Sequence, residues 1–128
     1  MTVSLIIPAY NEYENLTILI NEINECLRNK LDYEIIIIND KSSDQTVDLL
    51  NSKFFKHCII IHNQENLGQS RSILEGIKKA KYNNIITLDA DLQNNPKDII
   101  NLYKIYISRN DLKLVGGIRF KRRDNLIK

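Results

Sequence analysis

The sequence predicts an α/β domain, built as a mostly parallel open sheet with helices on both faces. Three observations carry this expectation. Short apolar runs alternate along the chain with longer segments whose apolar residues recur at helical spacing, the pattern of strands joined by crossover helices. One of the runs, residues 33–38, ends in four consecutive isoleucines, Ile35 to Ile38, which suits a strand covered on both sides, as in a parallel sheet. No repeat, linker or low-complexity segment interrupts the alternation, and 128 residues is about the size of one domain.

Taken in order, residues 3–7 predict a first strand, stopped by Pro8. Asn11 is a candidate cap for a helix carrying Leu16, Leu19, Ile20, Ile23 and Leu27 at helical spacing. Residues 33–38 predict the second strand, and Ser43 or Asp44 caps a second helix running to about Lys53. Residues 58–61 predict a third strand. Residues 68–79 predict a third helix, with Ile73, Ile77 and Ala80 on one face. Residues 84–88 predict a fourth strand. Pro96 stands where a helix would begin, and Ile99, Ile100, Tyr103 and Tyr106 follow at helical spacing. Residues 112–115 predict a fifth strand, after which Gly116 and Gly117 open the tail.

Charge and composition exclude several classes of function. The chain carries +2 overall, with +4 concentrated in residues 119–128 and −2 over the first 118. A nearly neutral domain with a short basic tail lacks the footprint of a nucleic-acid binder but leaves room for a local anion site. Cys26 and Cys58 have neither framework nor metal spacing and fit a reduced, cytoplasmic compartment. No apolar run approaches the ~18 residues of a membrane span, and the start of the chain has no basic region typical of a signal peptide. The 22 isoleucines and 16 asparagines read as a compositional bias of the source, not as function.

Ligands of open parallel sheets bind beyond the carboxyl ends of the strands, so the loops there are where chemistry is expected. Asp89 and Asp91 flank small Ala90 after the fourth strand. That spacing can turn both carboxylates toward one hard cation, Mg²⁺ or Mn²⁺, with Gln93 as a further oxygen. The other reading is a solvated loop capping the next helix. Asp40 suits a base or ribose contact, or helix capping with Ser42 and Ser43. Glu12 suits the same cleft, or the positive end of a helix. Tyr10 can stack on a base, or simply pack. Arg119 can grip a phosphate, while Lys121, Arg122 and Arg123 can do so by charge or form a frayed terminus. His57 and His62 flank the third strand without a spaced partner and read as structural or surface residues. After the first strand there is neither a G-x-G-x-x-G nor a P-loop lysine, which disfavours a dinucleotide dehydrogenase and a P-loop kinase. A receiver-like phosphoacceptor would want acids where Pro8 and Ala9 stand.

Five stretches in order carry a family resemblance: Ile6-Ile7-Pro8-Ala9-Tyr10-Asn11-Glu12; residues 34–46 (EIIIINDKSSDQT); Asn66-Leu67-Gly68-Gln69; Leu88-Asp89-Ala90-Asp91-Leu92-Gln93-Asn94-Asn95-Pro96; and Val115-Gly116-Gly117-Ile118-Arg119 on to Asp124. Together they resemble the family 2 glycosyltransferases of GT-A fold, and most of all the dolichyl- and undecaprenyl-phosphate sugar transferases. In the second stretch Asn39 stands where the family usually has the first of two acids, and Lys41 where a glycine is common. The resemblance implies a nucleotide-sugar donor, UDP- or GDP-linked, cradled by Pro8, Tyr10, Glu12, Ile38 and Asp40. It further implies Asp89, Asp91 and Gln93 at a divalent metal, Ala90 lining the donor, Arg119 on phosphate, and Asp91 and Arg119 as the catalytic pair. Transfer would be metal-dependent and inverting, onto a polyprenyl phosphate at the cytoplasmic face of the membrane. Residues 1–118 would then form the nucleotide-sugar-binding core and 119–128 the start of an acceptor-side region that the sequence lacks. That leaves open a partner chain supplying it, or a non-catalytic nucleotide-sugar-binding remnant or regulatory module.

Overall fold

A computed structural model of the chain describes residues 2–108. The expected fifth strand, the two glycines after it, Arg119 and the basic tail lie outside the described residues. Four strands form one sheet: β1 (Thr2–Ala9), β2 (Asp32–Asn39), β3 (Ile59–His62) and β4 (Ile85–Thr87). Their order is β3-β2-β1-β4, and every pairing is parallel. Three helices connect them, α1 (Tyr13–Leu27), α2 (Thr46–Leu50) and α3 (Gln69–Lys79), and α4 (Asp98–Ser108) follows β4. The chain reverses its direction of winding between β1 and β4, so the crevice beyond their carboxyl ends is the topological switch point.

Strand parity sorts the core into two layers. Val3, Leu5, Ile7, Ile35 and Ile37 face Leu16, Leu19, Ile20, Ile23 and Leu27 of α1, with Leu50, Ile99 and Tyr103 completing that layer. Ile6, Ile36 and Ile38 face the opposite way and are covered by Ile73 of α3 together with Ile61, Ala80 and Ile85. Helices therefore lie on both faces, as expected. The Tyr103 hydroxyl pins α4 to the sheet by accepting from the Thr2 N–H at 3.1 Å and from Asn84 Nδ2 at 3.2 Å.

Pro8 does not stop the first strand, which continues to Ala9 with Pro8 opposite Ile38. The Ile6 carbonyl accepts from Leu88 N and the Ala9 carbonyl from Asp40 N. The Pro8 nitrogen thus faces the β4 side, beyond the last β1–β4 pair, Ile6 with Thr87. A missing N–H costs no ladder bond there.

Asn11 is not the helix cap. It has a left-handed backbone (φ 55°), and Glu12 occupies the N-cap of α1. Its side chain works across the loops instead: Asn11 Oδ1 accepts from Ser43 N at 2.8 Å and Asp44 N at 3.3 Å. α2 is shorter than expected. Asp44 holds its first residue, with Oδ1 accepting from Thr46 N at 2.9 Å, and the helix ends at Leu50, followed by a separate 3₁₀ turn at Lys53–Phe55. The third strand begins one residue late, at Ile59, and α4 begins at Asp98, two residues beyond Pro96.

The expected apolar face of α3 is displaced. Ser72 and Gly76 are its buried residues, whereas Ile77 is exposed. A Cβ on Gly76 would stand 2.6 Å from Ile6 Cγ2 and 2.8 Å from Ile38 Cδ1. The helix sits closer to the sheet than any larger residue would allow.

Candidate functional site

The carboxyl ends of β1, β2 and β4 and the start of α3 enclose an open cleft of about 270 Å³, lined by Pro8, Ala9, Tyr10, Glu12, Asp40, Gln69, Asp89, Ala90 and Asp91. Seven of these residues are ones that the sequence singles out. Ala9 and Gln69 are additional. Ile38 is not among the lining residues, because its side chain is fully buried under α3. Gln93 does not line the cleft either; its backbone N–H donates to Asp91 Oδ1 at 3.1 Å.

Asp40 forms the floor on the β2 side. It is buried, and its carboxylate gathers the loop that leads into α3. Oδ1 accepts from Leu67 N at 2.7 Å and Asn63 Nδ2 at 2.9 Å, and Oδ2 accepts from Gly68 N at 2.9 Å. Burial alone pushes the Asp40 carboxyl upward, but these hydrogen bonds outweigh it and hold the group below the ordinary aspartate value. Lys41, next in the chain, is in the left-handed region at φ 61°. That backbone costs a residue with a Cβ about 1–2 kcal/mol more than glycine, which accounts for glycine being common there. Asn39 is also buried. Its Oδ1 accepts from Ser42 N at 3.0 Å, and its Nδ2 lies 3.0 Å from His62 Nδ1. An amide at this position supplies a donor to the imidazole that a carboxylate could not.

The opposite wall is the segment after β4. Asp89 N–H donates to Asn94 Oδ1 at 3.1 Å, Gln93 N–H to Asp91, and Lys97 N–H to Asn95 Oδ1 at 3.0 Å. The last two are Asx turns, the first closes the loop over five residues, and with Leu92 at φ 63° they fold the segment back so that both aspartates stand beside buried Ala90 on the cleft wall. Gln69, the first residue of α3, reaches across the end of β1 and donates from Nε2 to Asp89 Oδ1 at 3.0 Å. Tyr10 stands half-exposed at the rim. Glu12 Oε2 accepts from Asn15 Nδ2 at 2.8 Å within the first turn of α1.

Among the described residues, the lining holds four carboxylates, on Glu12, Asp40, Asp89 and Asp91, and no basic side chain. All of these are hard oxygen donors, the set preferred by Mg²⁺ and Mn²⁺ over softer metals. Among the described residues no three His, Cys, Asp or Glu groups converge into a closed metal cage. A cation held by Asp89 and Asp91 would keep positions for a ligand's oxygens, so the residues present fit such an ion. Cys58 contributes no reactive thiolate, since burial pushes its pKa up to about 11.

An open parallel sheet with a polar cleft at its switch point defines a Rossmann-like ligand-binding domain. The model of the family described as glycosyl transferase family 2 matches residues 4–127, and the chain belongs to that family. Among curated proteins it is 38% identical over 130 residues to the undecaprenyl-phosphate 4-deoxy-4-formamido-L-arabinose transferases of Yersinia enterocolitica and Pectobacterium carotovorum, covering 98% of this chain and 39% of each relative. The chain therefore spans about two fifths of the length of these relatives. Among solved structures, TarS residues 1–349 from S. aureus superposes with a TM-score of 0.69 at 24% identity, over 84% of this chain and 32% of that one. The mannosyltransferase PcManGT of Pyrobaculum calidifontis, solved with GDP-Man and Mn²⁺, gives 0.70 at 19% identity, over 84% and 32%. At these identities the structures speak for a shared GT-A fold.

Proposed function

We propose that this chain is the donor-binding part of a family 2 glycosyltransferase, taking a UDP- or GDP-linked sugar in the cleft together with Mg²⁺ or Mn²⁺. The observation that carries this is the charge of the cleft. Four carboxylates and no cation among its described lining residues would repel a bare diphosphate, whereas a divalent cation that accompanies the diphosphate is attracted. In this reading Asp89 and Asp91 hold the cation, Ala90 leaves room for the donor beside them, and Gln93 steadies Asp91 through its backbone N–H. The cation, when bound, offsets the negative charge that grows on the leaving diphosphate. Tyr10 offers its ring to the base, with Pro8 and Glu12 on the same wall. Asp40 shapes the floor and offers its remaining acceptor capacity to a ribose O–H or a base N–H. Arg119, which lies outside the described residues, takes phosphate as the resemblance implies.

The acceptor follows from the curated relatives, whose names specify undecaprenyl phosphate. A phosphate oxygen of such a lipid is already anionic at neutral pH, so no strong base is needed. It attacks the anomeric carbon as the bond to the nucleoside diphosphate breaks, which inverts that centre. No helix among the described residues is long and apolar enough to cross a membrane, and a lipid acceptor would be met at the cytoplasmic membrane face. The test is transfer of labelled sugar from UDP- and GDP-sugars to undecaprenyl phosphate in Mn²⁺. Product formed by the chain, alone or with an added partner chain, is the expected result. Donor binding with no transfer under either condition would favour a non-catalytic binding module.

A further inference from the structure

Three contacts place Gln69 under unusual control for an exposed residue at a helix start. Asp40 at the end of β2 takes the N–H groups of Leu67 and Gly68, which fixes the turn immediately before it. Gly68 adopts φ +89° in open space, with nothing within 4 Å of a Cβ placed there. Glycine is therefore required for the backbone angle and not for room. Gly76, two turns further on, seats the same helix on Ile6 and Ile38. The outcome is one side-chain bond, Gln69 Nε2 to Asp89 Oδ1, spanning the crevice from the start of α3, after β3, to the loop after β4. Its acceptor is one of the two carboxylates assigned to the cation.

On the donor-site reading above, we propose that Gln69 is a positioning residue for cation binding, its amide N–H aiming the Asp89 carboxylate at the metal and diphosphate. An acid that can rotate freely must be ordered when the ion arrives, and one already held by a donor has lost that freedom beforehand. The polarised Oδ1 keeps its amide partner while the carboxylate presents itself to the cation. The pairing also links Asp40 to the metal site through two backbone N–H groups and one amide. Partners of metal ligands of this kind are typically worth about 10–100-fold in metal affinity.

The test uses the full 128-residue chain with Mn²⁺ as the probe, counting free Mn²⁺ by its paramagnetic resonance signal in saturating UDP and, separately, GDP. Gln69→Ala and Gln69→Met are compared with the parent and with Ser70→Ala. Met keeps the bulk and loses the donor. The expected result is Mn²⁺ affinity weakened about tenfold in both Gln69 variants, with unchanged thermal midpoints and no change in Ser70→Ala. Affinity within about twofold of the parent in either Gln69 variant would overturn the role. So would a loss that tracks a lowered thermal midpoint, which would mark a structural residue. If the parent takes up no Mn²⁺ with either nucleotide, the donor-site reading itself fails and the role of Gln69 falls with it.

Discussion

Asp40 shows how much one side chain can settle. Its carboxylate accepts the N–H groups of Leu67, Gly68 and Asn63, and its own N–H continues the sheet by donating to Ala9. Its pKa is lowered on folding, because the hydrogen bonds exceed the cost of burial. As pH falls, the unfolded chain therefore takes up this proton first, near the ordinary aspartate pKa of about 3.9. The stabilisation is complete above that value and is lost as pH drops through the lower folded value. Asp40→Asn should then be less stable at pH 7 and lose less stability between pH 5 and pH 2 than the parent, as read from urea midpoints. Parallel acid limbs in the two proteins would assign the pH dependence elsewhere. A capping or ligand role for Asp40 was readable from its place after a strand. The loop anchor was not, because its donors lie more than 20 residues away in sequence.

At the scale of elements, α3 carries the tightest constraint. A methyl on Gly76 meets Ile6 and Ile38 at distances real atoms do not adopt. Such overpacking typically costs about 1–3 kcal/mol, set against roughly 1 kcal/mol gained by alanine's higher helix propensity. Gly76→Ala should lower stability despite that propensity, and a second change, Ile38→Val, which removes the Cδ1 in the way, should recover part of the loss. Urea unfolding of the single and double variants measures both. The first four strands, the four helices and the parallel sheet were legible in the alternation of the sequence, with their ends displaced by up to three residues. Which side chain faces which layer was not. In a run such as Ile35-Ile36-Ile37-Ile38 every position is the same residue, so parity leaves no trace, and Ile38 passes for a cleft residue when it is core. In α3 the buried pair is Ser72 and Gly76, and small residues give no apolar signal, so Ile77 draws attention to the wrong stripe. Pro8 misled for a related reason: a proline ends a strand only where its N–H would be needed.

At the scale of the whole molecule, the sheet order brings three loops to one crevice, and the carboxylates meet there. The negative charge of the described lining underlies the proposal that a nucleoside diphosphate enters this cleft in company with a divalent cation held by Asp89 and Asp91. The aspartate pair was legible as a motif, and its convergence with Asp40, Glu12 and Tyr10 follows from strand order, which local pattern does not encode. Gln69 lies in one of the stretches that carry the family resemblance but has no role assigned from sequence, because a glutamine at a helix start carries no chemical signature until its partner across the fold is known. The most direct test is calorimetry of UDP and GDP binding to the full chain, with and without Mn²⁺, for the parent and Asp91→Asn. Binding should require Mn²⁺ in the parent and be lost or weakened at least tenfold in the variant. Equal, metal-independent affinity in both proteins would contradict it.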